Sequence, residues 1–458
     1  MKPLADPVSA GLPGPGDLPA PKVIRVLVIC LSLYLAAPLW DLPLLGLSVS
    51  ALIIFFLFFE VFRHLGGLGL RRLGMLPWLL VMLWFGQLFS LAVNEIFDDQ
   101  SINFAVGLTT LFRYAFWFLV ACLSARIYSV TNLSRTSPVV FGIGCLFLTA
   151  VFLFEHFFLG GLKQSGWSNL TVLSQNSYGW QYSAFLPSAL YLTFVTKGKL
   201  RLLASMGVAA AFLAILLNGS RSTWGTATVG LLLFSFLWTI SSHGVGKAFR
   251  AIVLLALALI LTFGLFVVAP ESFKDKLFMK IEQSQDLSRD KSWQIRLLMI
   301  QKGERLFYDN LLFGVGPGQF RYVKADLDLP LWLTYESEDY FNRKSSHNSY
   351  IQLLAEGGLA LAIPFGIFLA WLAVAGCRAA VALAGYGETW LIPAYVGFVC
   401  FSIHFWSVAG VTSTAPWFLY GIVAAGILRA RALNKFFVKN DRKVRHGHAP
   451  GIPLSHPR

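Results

Sequence analysis

Charge is what this sequence has least of. Only 13% of its 458 residues are Asp, Glu, Lys or Arg, about half the share of an ordinary soluble domain. With a mean hydropathy of +0.65, that scarcity excludes a water-soluble globular protein. Cysteine is scarce too. Cys30, Cys122, Cys145, Cys377 and Cys400 fall in or beside apolar segments at no metal-like or disulfide-like spacing, so they read as core thiols. No A-x-A-like site follows the Pro- and Gly-rich start, and no removable signal peptide is expected.

Other absences narrow the function. The run GVGPGQF at 314–320 lacks the Gly-Lys-Ser/Thr ending of a P-loop and reads as a turn ahead of a short segment carrying Arg321. Asp98 and Asp99 could hold a divalent cation, but no clustered carboxylates or histidines complete a site, so no essential metal or other cofactor is expected. No internal repeat of the kind common in transporters is visible. The formal charge of +14 comes without a nucleic-acid motif, and its basic residues sit in short clusters between apolar segments, where membrane orientation accounts for them.

What the chain has is apolar length. It is 56% hydrophobic, with 40 Phe and 14 Trp, enough to cross a bilayer many times. The hydropathy pattern predicts an all-α polytopic membrane protein with about twelve spans, near 23–40, 43–62, 76–93, 103–123, 137–154, 177–196, 202–218, 224–241, 251–269, 349–373, 390–410 and 415–430. The amino-terminal arm, the loops at 63–75, 124–136, 197–201, 243–250 and 377–388, and the tail hold 22 of the 37 basic residues when Arg25 and Arg429 are included. That bias predicts amino and carboxyl termini in the cytoplasm. The domains expected are a disordered cytoplasmic arm at 1–22, nine spans in 23–269, a long outer loop at 270–348, three spans in 349–430 and a basic tail at 431–458.

The outer side holds the informative residues. Loop 270–346 carries twelve basic and twelve acidic residues, and a loop this long is usually functional. Segment 292–307 reads as a helix with Trp293, Leu297 and Ile300 on its apolar face, and Arg296 projecting from the flank. An Arg so placed needs an anionic partner, either an acid of the loop or a ligand. Arg221 sits in a tight outer turn among Ser220, Ser222 and Thr223; it either snorkels or joins those hydroxyls around a phosphate.

His347 precedes span ten. Asn348 or Ser346 would cap that helix, whose positive end should keep the imidazole neutral and offer free N–H groups to a phosphate. Asn348, Gln352 and Glu356 then form a polar stripe, which either lines a wet cavity or joins two helices. Arg113, mid-span, needs an internal partner such as Glu60 or a ligand. His404 reads as a hydrogen-bonded core residue, while His446, His448 and His456 belong to the tail.

These features together resemble the O-antigen ligase and polymerase superfamily of bacterial envelope synthesis. The resemblance rests on NGSRSTWG, on a long late outer loop with Arg296 and a Gly-x-Gly turn, and on HNSYIQLLAEGGLAL, chiefly within 218–361. It implies a GT-C-type glycosyltransferase fold in the inner membrane of a Gram-negative bacterium, with the long loop, containing short helices, on the periplasmic face. The implied reaction is metal-independent, inverting transfer of a polysaccharide from undecaprenyl pyrophosphate to a hydroxyl of lipid A-core. Arg221 and Arg296 match the arginines that engage the pyrophosphate, and His347 the essential histidine, as base or as orienter of the diphosphate. Asn348, Gln352, Arg321 and Arg113 complete the candidate substrate contacts; membrane lipid is the remaining partner and nucleic acid is not one. The alternatives are a repeat-unit polymerase of the same superfamily and, from another class, a lipid flippase or transporter. One late loop favours the ligase branch, and an end soon after span twelve counts against protein-glycosylating relatives.

Overall fold

The computed structural model describes residues 19–38, 49–97, 103–160, 173–241, 291–327, 338–408, 410 and 413–447. Among these the long elements are all helices: α1 (Lys22–Ala36), α2 (Val49–Leu65), α3 (Leu76–Phe97), α4 (Phe104–Val130), α5 (Ser137–Phe158), α6 (Gln175–Val195), α7 (Gly198–Asn218), α8 (Arg221–Ser241), α9 (Lys291–Asp309), α10 (Glu338–Asn342), α11 (Ser349–Gly385), α12 (Leu391–His404) and α13 (Thr414–Gly447). Each expected span except 251–269 coincides with one of them. Six helical segments, at 76–96, 104–130, 132–158, 198–218, 221–241 and 349–385, are long and apolar enough to cross a membrane. The expected span at 251–269, the first part of the long loop and the pair Asp98 and Asp99 lie outside the described residues.

Helices α4, α6, α12 and the first half of α13 form the interior. Both α6 and α12 are buried on nearly every side, as helices surrounded by other helices should be. Helix α2 instead turns Phe55, Phe56, Phe59 and Phe62 outward, and α7 does the same with Leu200, Leu202, Leu203 and Met206. Such phenyl and leucyl surface suits hydrocarbon rather than water. Cys122, Cys145 and Cys400 are buried as expected, whereas Cys30 is exposed on α1.

Side-chain bonds sort the loops into two ends. At one, Arg126 donates to the Leu65 carbonyl at 2.9 Å, Arg135 lies 3.5 Å from Glu388, and Arg429 donates from Nε to the same carboxylate at 2.5 Å. These contacts join 63–75, 124–136, 377–388 and the start of the last basic segment, which hydropathy and charge assign to one side. At the other end, Asn94 donates to the Gly314 carbonyl at 2.9 Å and Ser349 to that of Val408 at 2.7 Å. Three boundaries differ clearly from expectation: α4 runs on to Val130, into the loop expected at 124–136, α11 to Gly385, and α13 to Gly447, into the segment read as a tail.

Candidate functional site

Arg221 opens α8 directly after the turn that ends α7. The turn is held on three sides. Trp224 Nε1 donates to the Ile215 carbonyl at 3.0 Å, Gln175 of α6 donates to that of Asn218 at 2.5 Å, and Ser220 and Ser222 hydroxyls meet at 3.0 Å. A half-buried guanidinium on so fixed a base loses little freedom when it grips a ligand.

Arg296 reaches the same place from α9. Its helix packs on α11 through Leu298, Met299, Lys302 and Leu306, while Leu297 is exposed. The apolar face therefore differs from the expected one of Trp293, Leu297 and Ile300, because the loop builds a core of its own with Val315, Phe320, Val323 and Phe341, set against Ala355 of α11. Burial holds the Arg296 guanidinium below its ordinary pKa, and the neighbouring Arg221 charge adds to the effect. Two like charges side by side are costly unless an anion lies between them.

His347 lies in the left-handed region, with φ of 51°, uncommon for a residue with a side chain. Burial first, then Arg296, Lys344 and Arg321, hold its pKa below the usual 6.5. The imidazole is therefore neutral, though bases and burial supply the cause where the helix end was expected to. That helix end also has no backbone donors to spare. Tyr350 and Ile351 N–H groups bond Asn348 Oδ1 at 3.0 and 3.1 Å, Ser349 N–H bonds the Phe405 carbonyl at 2.8 Å and Gln352 N–H that of Asn348 at 3.0 Å. An anion here must be held by side chains, contrary to the expectation of a phosphate on free N–H groups.

The polar stripe is a hydrogen-bonded chain. Ser346 donates to Gln352 Oε1 at 3.2 Å, Gln352 Nε2 to Glu356 at 2.9 Å, and Phe320 N–H to the same carboxylate at 3.4 Å. Asn348 and Gln352, expected among the substrate contacts, are thus engaged in positioning: their polar atoms hold the cap and the stripe in place. Just below, Gly358 breaks α11 with φ of 57°. The glycine-rich run fills the break, with Val315 and Gly316 N–H groups donating to Ala355 and Glu356 carbonyls at 2.8 and 3.0 Å, and Leu359 and Ala360 N–H groups to Leu311 and Leu312 at 3.0 and 2.9 Å. Backbone freed at membrane depth must find such partners. A Cβ on Gly314 would lie 2.5 Å from the Ala355 carbonyl oxygen, so only glycine fits.

Through Arg296 the structure therefore brings Arg221 and His347 into one electrostatic neighbourhood. Arg321 adjoins it, exposed on the turn Gln319–Arg321. Arg113 is exposed on α4, and its suggested partner Glu60 pairs instead with Arg63 and His64. His404 is a residue the sequence undervalued. It is buried at the end of α12, within electrostatic reach of Arg296, its Nδ1 lying 3.4 Å from Thr226 Oγ1 and its Nε2 lacking a hydrogen-bond partner among the described residues.

Comparison with known proteins adds one match. Residues 206–366 fit the family model described as O-Antigen ligase, a stretch that begins in α7 and contains Arg221, Arg296, Arg321 and His347. The match supports membership of the O-antigen ligase/polymerase superfamily. No curated protein matches the chain.

Proposed function

We propose that this superfamily member is a periplasmic-facing O-antigen ligase, moving a glycan from undecaprenyl pyrophosphate to a hydroxyl of lipid A-core. The observation that carries the reading is the half-buried pair Arg221 and Arg296, held against mutual repulsion beside a neutral His347. A diphosphate offers two anionic groups to two guanidiniums, each able to bond oxygens in a forked geometry.

In this mechanism the acceptor hydroxyl attacks the anomeric carbon on the face opposite the diphosphate, and His347 takes its proton. The carbon–oxygen bond to the diphosphate breaks, and its electron pair leaves with undecaprenyl pyrophosphate. Charge that grows on the departing oxygen meets Arg221 and Arg296, so stabilisation is greatest in the transition state. Asn348, Ser346 and Gln352 keep the imidazole in place. The inner-membrane setting, cytoplasmic termini, twelve spans and GT-C-type arrangement belong to the same proposal.

The test is transfer by purified protein. Wild type should attach glycan to lipid A-core, and Arg221→Ala, Arg296→Ala or His347→Ala should each lower the rate by about a hundredfold or more while remaining folded. Product formed only on a second lipid-linked repeat would make the enzyme a polymerase, and full activity in all three variants would remove these residues from the mechanism.

A further inference from the structure

A second cationic feature lies next to the site and shares no lining residue with the Arg221 and Arg296 pair. A cavity of about 520 Å³ is lined by Arg321, Tyr322, Lys324, Asn342 and Arg343, three bases with no acid among the described lining residues. Its walls are fixed from behind. Lys302 donates to the Asn342 carbonyl at 2.5 Å, and the Asn342 side chain accepts from Ala325 N–H at 3.1 Å and donates to the Ala325 carbonyl at 3.2 Å. Gln319, two residues before Arg321, exchanges two hydrogen bonds with the Asn103 backbone at 2.9 and 3.2 Å. Phe320 anchors the same turn to Glu356.

The geometry points to this cavity as the seat of the acceptor, and to an acceptor whose sugar carries phosphate or carboxylate. The inference rests on the ligase reading and adds a substrate class to it. The volume falls in the range of small-ligand sites. Three clustered bases, all exposed, select an anion, and the exposed ring of Tyr322 offers a flat apolar face to a sugar. Position assigns the anion to the acceptor. With the diphosphate on Arg221 and Arg296, the hydroxyl that attacks must approach His347 from another direction, and Arg343 lies just ahead of His347 in the chain. Arg321 acts on His347 electrostatically, as Arg296 does, so both cationic clusters lie within electrostatic reach of the imidazole.

Lys324→Gln and Arg343→Gln test this in the full chain, in nanodiscs of zwitterionic phosphatidylcholine. Each variant should raise KM for lipid A-core by about tenfold, the equivalent of one charged contact, with donor KM held. Acceptor stripped of phosphate and with its carboxylates reduced should bind wild type as weakly as it binds the variants. A rise in donor KM instead, unchanged acceptor KM in both variants, or rescue by adding anionic phosphatidylglycerol to the disc would overturn the assignment. Titration with glucose 6-phosphate, glucuronate and glucose separates this inference from the ligase reading. The two anions should bind wild type and Arg221→Gln but not Arg343→Gln, and glucose should bind none. That pattern in a protein lacking transferase activity would leave the anion site standing and sink only the ligase reading; equal binding of glucose and the anions would sink the site.

Discussion

Glu356 and Gly316 share a backbone hydrogen bond of 3.0 Å, carbonyl to N–H, closing off the stretch of chain between them that carries Arg321 and His347. It is one of four such bonds that carry the backbone of α11 over its break at Gly358. The break and the glycine-rich run therefore form one device. It fixes the loop bearing Arg321 against the helix that follows His347, and so sets the distance between those two residues.

Gly358→Ala should disable that device. The new methyl would meet the Leu312 carbonyl carbon at 2.5 Å, and a φ of 57° costs a further 1 kcal/mol or so for a residue with a Cβ. A loss of about 2–4 kcal/mol in stability is expected, read as a lower Tm in detergent, with transfer reduced in whatever remains folded. Gly366→Ala is the control. Nothing lies within 4 Å of its added Cβ, and Ala is the better helix former, so Tm should hold or rise; an equal fall in both variants would refute the special place of Gly358.

The contrast between what the sequence reveals and what it hides has a physical basis. Spans such as 76–93 or 137–154 are legible because a long apolar run has few alternatives to crossing lipid, and Arg221 stands out as a lone base in an outer turn. Other features depend on partners remote in sequence. The Glu-Gly-Gly of α11 reads as the end of a stripe until the 311–316 segment is seen lying in the break, although two glycine clusters so near an essential-looking His are a usable signal. Helix α9 is half polar, so its period allows two faces, and only the core around Phe320 and Phe341 decides between them. Arg113 stands out because a charge placed mid-span is costly, and only the structure shows it exposed on α4 with Glu60 taken by Arg63 and His64. His404 carries no motif and becomes a candidate through Thr226 and Arg296 alone.

The pH dependence of transfer should report His347. Its pKa lies below 6.5 through burial and the charges of Arg296, Lys344 and Arg321, so a base mechanism has its acid limb below pH 6.5. Lys344→Gln removes one of those repulsions and should move the limb upward, leaving rates above pH 7 unchanged. Stability follows the same sign. As pH falls below 6.5 the unfolded chain takes up the proton first, so His347 costs stability progressively down to its folded pKa. A limb that stays put in Lys344→Gln would favour the role of orienting the diphosphate.

Far from the site, Arg429 is 2% exposed, and its carboxylate partner Glu388 also accepts from Trp390 Nε1 at 3.2 Å. Glu388→Gln leaves a guanidinium buried without its counter-charge, which costs about 3–5 kcal/mol. The double variant Glu388→Leu with Arg429→Met should regain most of that loss, since apolar pairs of similar volume commonly replace buried ion pairs at little cost. Because this staple sits at the other end of the bundle, donor and acceptor KM should be those of wild type in any variant that folds. A raised KM would show that the two ends are coupled.

Lys302 offers a test of the loop's own core. It is fully buried on α9, its amine donating to the Asn342 carbonyl at 2.5 Å and lying 5.0 Å from the centre of the Phe320 ring. Burial pushes its pKa down to about 8 from 10.5. Between those two values the folded protein has released a proton that the unfolded chain still holds, so stability should climb with pH across that window. Lys302→Met removes the buried charge but also the donor to Asn342, worth about 1 kcal/mol. At pH 7 the charge is the larger effect and the Met variant should have the higher Tm. Near pH 10.5 the wild-type amine is neutral, only the hydrogen bond counts, and wild type should be the more stable. The two Tm curves must therefore cross between these values; parallel curves would mean that the amine reaches solvent and that the core beneath the Arg321 cavity is open.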